Sequence, residues 1–130
     1  MKKYILYARV NGSSQMYGSS ISSQKDVLRK FARLNGLNIT EEIVEIGSAA
    51  LSKKRKPFRK LIKKLRSGQA NGVLCTDIDR LTRNVAGSSL LINLIEKKGI
   101  EIITLNFSFK NDRYSKFFMG LGVTKENKNV

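Results

Sequence analysis

The 130-residue sequence contains no histidine, one cysteine and one proline. Without histidine, no imidazole can act as a general acid or base, and the most frequent ligand of zinc and copper is missing. A single cysteine cannot form an internal disulfide, and it leaves a structural zinc site short of ligands. Cys75 lies in an apolar run, so we expect a buried, reduced thiol in a cytoplasmic protein. The sequence predicts neither a metal nor another cofactor.

Acidic residues are also scarce, with 10 of them against 25 lysines and arginines, which gives a net charge of +15. This excess predicts a polyanionic partner, with nucleic acid as the first candidate and an anionic membrane surface as the alternative. No apolar run is long enough to span a bilayer, and residues 1–3 do not lead into a signal-peptide apolar region. Apolar residues make up 41% of the chain, which indicates one globular domain.

Two kinds of apolar pattern alternate along the chain. Short runs rich in strand-forming residues predict strands at residues 4–8, 39–46, 72–76 and 100–105. Apolar residues at helical spacing predict a helix capped by Ser20, a helix that begins at Pro57 and a helix that ends at Gly99. Strands and helices in alternation predict an α/β domain with a mostly parallel sheet covered by helices.

Two separate segments place arginines just after predicted strands. Residues 7–11 read YARVN at the end of the first strand, and residues 79–84 read DRLTRN just past the third. Because functional groups collect at the carboxyl ends of parallel strands, the two segments converge if these strands are neighbours. Arg80 and Arg83 could then bind a phosphate through forked hydrogen bonds, and Asp79 could orient a guanidinium or handle a proton. The alternative for this pair is an ordinary surface ion pair.

A basic segment without an interspersed acid runs from residue 53 to residue 66. Its helix would bury Phe58, Leu61, Ile62 and Leu65 and turn the cations outward. Like charges at this spacing repel one another, so a DNA phosphate backbone is the expected partner, although a solvated basic face remains the alternative. The predicted DNA-binding residues are Lys53, Lys54, Lys56, Arg59, Lys60 and Lys63.

The combination of YARV with DRLxR resembles the two signatures of the serine recombinases, the resolvase/invertase family of DNA-cutting enzymes. The resemblance extends from Lys3 to about Gly122. It implies a three-layer, resolvase-like catalytic domain at residues 1–122, with a mostly parallel sheet of four or five strands, followed by a polar tail at residues 123–130. It also implies DNA recombination of the kind carried out by mobile genetic elements, namely integration, inversion or resolution. The reaction would use a 5′-phosphoserine link and no cofactor, in a homodimer or homotetramer on DNA in the cytoplasm.

The resemblance also implies a set of active-site residues. Arg9 resembles the arginine that contacts the scissile phosphate, Gln24 lies in a segment similar to the family's Ser-Ile-x-x-Gln, and Arg55 precedes a proline-aromatic step as the phosphate-binding arginine does. Lys64 falls where many small resolvases have a lysine. The full implied set is Arg9, Asn11, Gln15, Gln24, Arg55, Lys64, Asp79, Arg80 and Arg83.

Asn11 occupies the position at which the family has its nucleophilic serine. A carboxamide has no hydroxyl to deprotonate, so it cannot attack phosphorus. Ser13 and Ser14 lie two and three residues further on, which is roughly 6 to 10 Å in extended chain and beyond attack distance unless the loop folds back. We therefore expect the cleavage chemistry to be absent or impaired.

Residues 113–120 resemble the start of the long helix through which family members dimerise. The sequence continues only briefly beyond it, so we expect this helix to be cut short and the dimer to be weak. Three functions remain open at this point. They are a catalytic domain with impaired chemistry, a non-catalytic DNA-binding or regulatory module, and an interaction domain that pairs with a recombinase subunit through Phe117, Phe118 and Met119.

Overall fold

A computed structural model describes residues 1–10, 20–47 and 55–110 of the chain. Several predicted features lie outside these ranges: Asn11, Ser13, Ser14, Gln15, Lys53, Lys54 and the helix start at residues 113–120. The strands are β1 (Tyr4–Val10), β2 (Ile39–Ile46), β3 (Gly72–Leu74), β4 (Glu101–Ile103) and β5 (Ser108–Phe109). The helices are α1 (Ile21–Leu34), α2 (Lys56–Arg66) and α3 (Val85–Lys98), and a short 3₁₀ turn covers Ile78–Arg80.

The five strands form one sheet in the order β2-β1-β3-β4-β5. β1 pairs in parallel with β2 and β3, β3 pairs in parallel with β4, and only β5 runs antiparallel to its neighbour. All seven residues of β1 are buried, as expected for a central strand. The prediction of an α/β domain with a mostly parallel sheet of four or five strands is confirmed.

Helices cover both faces of the sheet, which gives three layers. On one face, Leu28 and Ala32 of α1 pack with Leu6 and Leu74. On the other face, α2 and α3 pack against alternate residues of the same strands, including Ile5 and Val73. Because successive strand residues point to opposite faces, the apolar run of β1 supplies side chains to both layers.

Capping residues, proline and glycine explain where the helices begin and end. The Ser20 side chain accepts a hydrogen bond from the Ser23 amide at 3.1 Å, so the predicted cap is confirmed. α2 begins at Lys56 with Pro57 in its first turn, and α3 is followed by Gly99 in the left-handed region with φ of 68°. The Asn84 side chain caps α3, so this helix begins five residues before Leu90, the first apolar residue of its pattern. None of the helices in the described ranges is both long enough and apolar enough to span a membrane.

Candidate active site

The carboxyl ends of β1, β2 and β3 meet at one edge of the sheet. β1 lies between β2 and β3, so the strand order reverses direction at β1. In open parallel sheets such a reversal leaves a crevice in which ligands bind. Arg9 stands at the end of β1, Gly47 follows β2, and the 3₁₀ turn with Asp79 and Arg80 follows β3.

The two arginine segments are in direct contact at this edge. Nη1 of Arg80 donates to the backbone oxygen of Arg9 at 2.9 Å, and Nη2 of Arg9 donates to the backbone oxygen of Asp79 at 3.4 Å. Nε of Arg80 also donates to Oγ1 of Thr76 at 3.3 Å and lies 3.6 Å from Oδ2 of Asp77. The convergence predicted from the neighbouring strands is therefore confirmed for Arg9, Asp79 and Arg80.

Arg9 is almost completely buried at this edge of the sheet, and only 4% of it is exposed. Its Nη1 donates to the backbone oxygen of Gly47 at 2.5 Å, which joins the ends of β1 and β2. Burial lowers the pKa of Arg9, and the charges of Arg80, Arg55 and Arg83 lower it further, against an opposing effect of Glu45. The guanidiniums of Arg80, Arg55 and Arg83 thus repel that of Arg9, and an anion placed beside Arg9 would relieve this repulsion.

Gln24 of α1 fixes the backbone of Arg9. Its Nε2 donates to the Arg9 backbone oxygen at 2.9 Å, and its Oε1 accepts from the Arg9 amide at 3.3 Å. The same Arg9 oxygen also accepts the bond from Arg80, so both of its lone pairs are used. Gln24 is buried, and its contact with Arg9 makes it a positioning residue for the end of β1.

Arg55 lies immediately before α2 and is held by Glu45 of β2. Nε and Nη2 of Arg55 donate to the two carboxylate oxygens of Glu45 at 2.8 and 2.7 Å, and the guanidinium stacks on the Phe58 ring at 4.1 Å. The Tyr7 hydroxyl donates to the same carboxylate. Burial alone would lower the pKa of Arg55, but the hydrogen bond and charge of Glu45, with a contribution from Tyr7, raise it overall.

Glu45 and Tyr7 were missed when candidate residues were chosen from the sequence. Glu45 is only 3% exposed, and it lies two residues after the buried Ile43 on the same strand. A charged residue at a core-facing strand position is rare unless it is paired, and this signal could have identified Glu45. Tyr7 gives no such signal, because a tyrosine is ordinary in a buried strand. Burial and the bond to Glu45 raise the pKa of the Tyr7 hydroxyl far above its usual range.

The remaining candidate residues, Arg83 and Lys64, have no direct hydrogen bond to Arg9 or Arg80 among the described residues. Arg83 is exposed and reaches Arg9 only through its charge. Lys64 lies roughly 13 Å further along the axis of α2 than Arg55. There its Nζ contacts Glu41 at 2.8 Å and Gln69 at 3.5 Å. Thus Arg9, Gln24, Arg55, Asp79 and Arg80 gather at the strand ends, whereas Lys64 lies towards the other end of its helix.

Most of the basic segment at residues 53–66 lies in α2, and its cations are on the outer surface of this helix. Lys56, Arg59, Lys60 and Lys63 are all exposed. Lys60 contacts Glu41 at 3.1 Å, and Lys56, Arg59 and Lys63 make no ion pair with any described residue. Residues 1–10, 20–47 and 55–110 contain no group of three histidine, cysteine or acidic side chains that could hold a metal ion.

Comparisons with known proteins agree with this architecture. The family model described as "Resolvase, N terminal domain" matches residues 4–123. The chain is similar to the N-terminal catalytic domain of TP901-1 integrase, with 28% identity, a TM-score of 0.79 and coverage of 98% of this chain and 95% of that chain. It is also similar to a resolvase family site-specific recombinase from Streptococcus pneumoniae, with 25% identity, a TM-score of 0.78 and coverage of 99% and 90%.

A third similar structure is a serine recombinase from Sulfolobus solfataricus, with 28% identity, a TM-score of 0.67 and coverage of 93% of this chain and 78% of that chain. The comparison with curated proteins found no significant match.

Proposed function

Because this chain belongs to the resolvase N-terminal domain family, we propose that it is a serine-recombinase catalytic domain for site-specific DNA strand exchange, with cleavage impaired at Asn11. The observation that carries the proposal is the contact between Arg80 and the backbone of Arg9 at the strand ends. This contact joins the two arginine segments at one crevice. A DNA phosphodiester is the anion that fits a positively charged crevice in a domain of this family.

The arginines would do the work that metal ions do in other phosphoryl-transfer enzymes. When a serine attacks DNA phosphate, negative charge builds up on the five-coordinate phosphorus, and nearby guanidiniums stabilise that charge. Arg9 and Arg80 would bind the phosphate directly, with Arg83 reaching it from the surface. Arg55 would support the site from its ion pair with Glu45, and Asp79 and Gln15 are the further proposed members of the site.

Position 11 follows a strand end that is held from three sides. Gln24 and Arg80 fix the backbone oxygen of Arg9, and the Gly47 amide donates to the backbone oxygen of Val10 at 2.7 Å. A serine at position 11 would start from this fixed backbone and be aimed at the bound phosphate. Asn11 can donate and accept hydrogen bonds there, but it cannot form the 5′-phosphoserine link.

The basic surface of α2 would extend the contact to the DNA backbone on either side of the bound phosphate. Lys56 is the nearest described member to Arg55, and Lys53, Lys54, Arg59, Lys60 and Lys63 complete the proposed surface. Such contacts position a duplex without reading its sequence. The remaining parts of the proposal are a cytoplasmic domain at residues 1–122, a polar tail at residues 123–130, and a homodimer or homotetramer on DNA.

Asn11 itself favours a second candidate function. A chain that keeps the arginine crevice and lacks the nucleophile would serve as a DNA-binding or regulatory module derived from a recombinase. Removal of a covalent nucleophile typically costs many orders of magnitude in rate, while binding survives. The two candidates therefore differ in whether a single serine restores cleavage.

The deciding experiment compares the natural chain with Asn11→Ser and with Asn11→Ala as the matched control. Each protein is incubated with a library of nicked, random-sequence duplexes that trap cleaved DNA, because the target site is unknown. We expect a covalent adduct only with Asn11→Ser, mapped to residue 11 by mass spectrometry of the tryptic peptide. If Asn11→Ser binds the duplexes and forms no adduct, the DNA-binding module is the better description. An adduct of the natural chain at Ser13 or Ser14 would show that cleavage is not impaired.

A salt titration tests DNA binding separately from cleavage. Contacts with several phosphates make the logarithm of the affinity fall linearly with the logarithm of the salt concentration. We expect this steep fall for the natural chain and for Asn11→Ser alike. A flat response would contradict DNA binding and would favour the interaction-domain hypothesis instead.

A further inference from the structure

A groove of about 550 Å³ lies between α2 and α3, on the face of the sheet opposite α1. It combines two kinds of side chain. The apolar ones are the half-buried Leu90 of α3 and the nearly buried Phe58 and Ile62 of α2, which are only 6% and 5% exposed. The cationic ones are Arg59, Lys63 and Arg66 of α2. The groove therefore has one partly exposed apolar residue and three exposed cations along its edge.

The three cations form a regular stripe. Arg59, Lys63 and Arg66 are spaced at i, i+4 and i+7, so they lie on one side of α2 over roughly 10 Å of its axis. All three are exposed, and none forms an ion pair with a described residue. Lys60 and Lys64 differ, because both contact Glu41 of β2. The side of α2 that borders the groove thus carries positive charge that no acid within the described ranges neutralises.

We propose that this groove binds an acidic amphipathic helix of a partner protein. Acidic side chains at helical spacing would meet the stripe of Arg59, Lys63 and Arg66. Apolar side chains on the adjacent face would cover Leu90 and the small exposed edges of Phe58 and Ile62. Such a helix uses both properties of the groove at once. Each charge pair at the exposed rim adds little affinity by itself, and Phe58 and Ile62 offer little apolar area, so binding depends on all three charge pairs together with the contact to Leu90.

Two other occupants fit the groove less well. A DNA duplex presents its phosphates on a convex surface and has no apolar side chains, so it could touch the stripe but could not fill the space between the helices. A second copy of this chain also carries a charge of +15, and the two copies would repel each other at a basic rim. Arg59 and Lys63 are also proposed DNA contacts, so DNA and the acidic helix would compete for the stripe. The proposal stands independently of strand exchange.

The test uses a synthetic acidic peptide that forms an amphipathic helix and carries one tryptophan on its apolar face. The protein has no tryptophan, so all of the tryptophan fluorescence reports on the peptide. A scrambled peptide with the same composition has the same charge but no apolar face. We expect the amphipathic peptide to bind with a blue shift of its fluorescence, and the scrambled peptide to bind at least about tenfold more weakly.

Two matched triple variants locate the binding surface. R59Q/K63Q/R66Q removes the stripe, and K30Q/R33Q/K97Q removes three exposed cations elsewhere on the described surface. We expect the first variant to weaken peptide binding at least about tenfold and the second to change it by less than about twofold. Leu90→Gln should reduce the blue shift, and urea unfolding must show that each variant remains folded.

Three results would overturn the proposal. The first is an absence of binding, since charge and apolar face are all that the proposal specifies. The second is equal binding of the amphipathic and scrambled peptides, or equal losses in the two triple variants. The third is a stripe variant that loses affinity for duplex DNA but not for the peptide, which would make this surface a nucleic-acid contact only. None of these results bears on cleavage by Asn11→Ser, so the two proposals fail separately.

Discussion

The guanidinium of Arg55 and the carboxylate of Glu45 form a buried ion pair with two hydrogen bonds, at 2.8 and 2.7 Å. The two side chains are only 9% and 4% exposed. Glu45 also accepts a hydrogen bond from Tyr7 on the central strand. The pair therefore ties the end of β2 to the residue that precedes α2, and ties both to β1. Since both charged groups are largely shielded from water, each needs the opposite charge of the other to compensate for its lost hydration.

Replacement of Glu45 by glutamine should be strongly destabilising. Removal of one member of a buried pair leaves the other charge uncompensated, which typically costs about 3–5 kcal/mol. Urea unfolding of Glu45→Gln gives the loss in the free energy of unfolding. The matched control is Glu42→Gln, which breaks the exposed contact with Arg29 on the neighbouring part of β2. Water and salt screen that contact, so its loss should be much smaller. Equal losses of unfolding free energy in the two variants would show that burial does not make the Arg55–Glu45 ion pair more important for stability than the exposed one.

Much of the fold follows from patterns within single segments. β2 has the predicted bounds, and β1 is central because its apolar residues leave no face for solvent. β5 could not be predicted, because Ser108–Phe109 has only two residues and exists through its pairing with β4. The sequence predicted the end of α3 but not its start, because Asn84 and the first turn carry little apolar signal.

The candidate site was predictable where it depends on strand order and less so where it depends on side-chain partners. Arg9 and Arg80 meet because neighbouring parallel strands end at one edge. The pairing of Arg55 with Glu45 depends on the long-range position of α2 relative to β2, and no local pattern encodes that position. Gln24 was expected near the site, and its part in holding the Arg9 backbone emerges only from the packing of α1 on β1.

Replacement of Gly87 by alanine should destabilise the protein, contrary to the usual effect of this change inside a helix. A Cβ atom at Gly87 would lie 2.1 Å from Oγ1 and 2.8 Å from Cβ of Thr82, which is buried. We expect a loss of about 1–3 kcal/mol from this overpacking, instead of the gain of up to about 1 kcal/mol that helix propensity predicts. The control is Ser89→Ala at an exposed position of the same helix. A gain in stability for Gly87→Ala would show that Thr82 moves away without cost.

Cys75 should resist alkylation in the folded protein. Burial raises the pKa of its thiol far above the ordinary value, so the reactive thiolate is suppressed. We expect iodoacetamide at pH 8 to modify Cys75 only in urea, as measured by mass spectrometry.

The raised pKa of the Cys75 thiol also predicts that the free energy of unfolding depends on pH. Below the ordinary pKa of 9.0 the buried thiol is neutral in both states, and above it the unfolded chain loses a proton that the folded chain keeps. Stability should therefore fall as the pH rises above 9.0, and Cys75→Ala should remove that part of the fall.

Replacement of Arg80 and of Arg83 by alanine, one at a time, should have different effects on the free energy of unfolding. Arg80 donates a hydrogen bond to the backbone oxygen of Arg9, whereas Arg83 is exposed. We expect Arg80→Ala to lose about 1–2 kcal/mol of unfolding free energy and Arg83→Ala to stay within about 0.5 kcal/mol of the natural chain. Both variants should bind duplex DNA more weakly, and each should reduce the slope of the salt titration by about one if its guanidinium contacts a phosphate. The exposed Arg33 at the end of α1 supplies the control, because Arg33→Ala should change neither stability nor slope. Equal unfolding free energies for Arg80→Ala and Arg83→Ala would mean that the bond to Arg9 does not stabilise the fold, and an unchanged slope for both would remove these arginines from the proposed phosphate site.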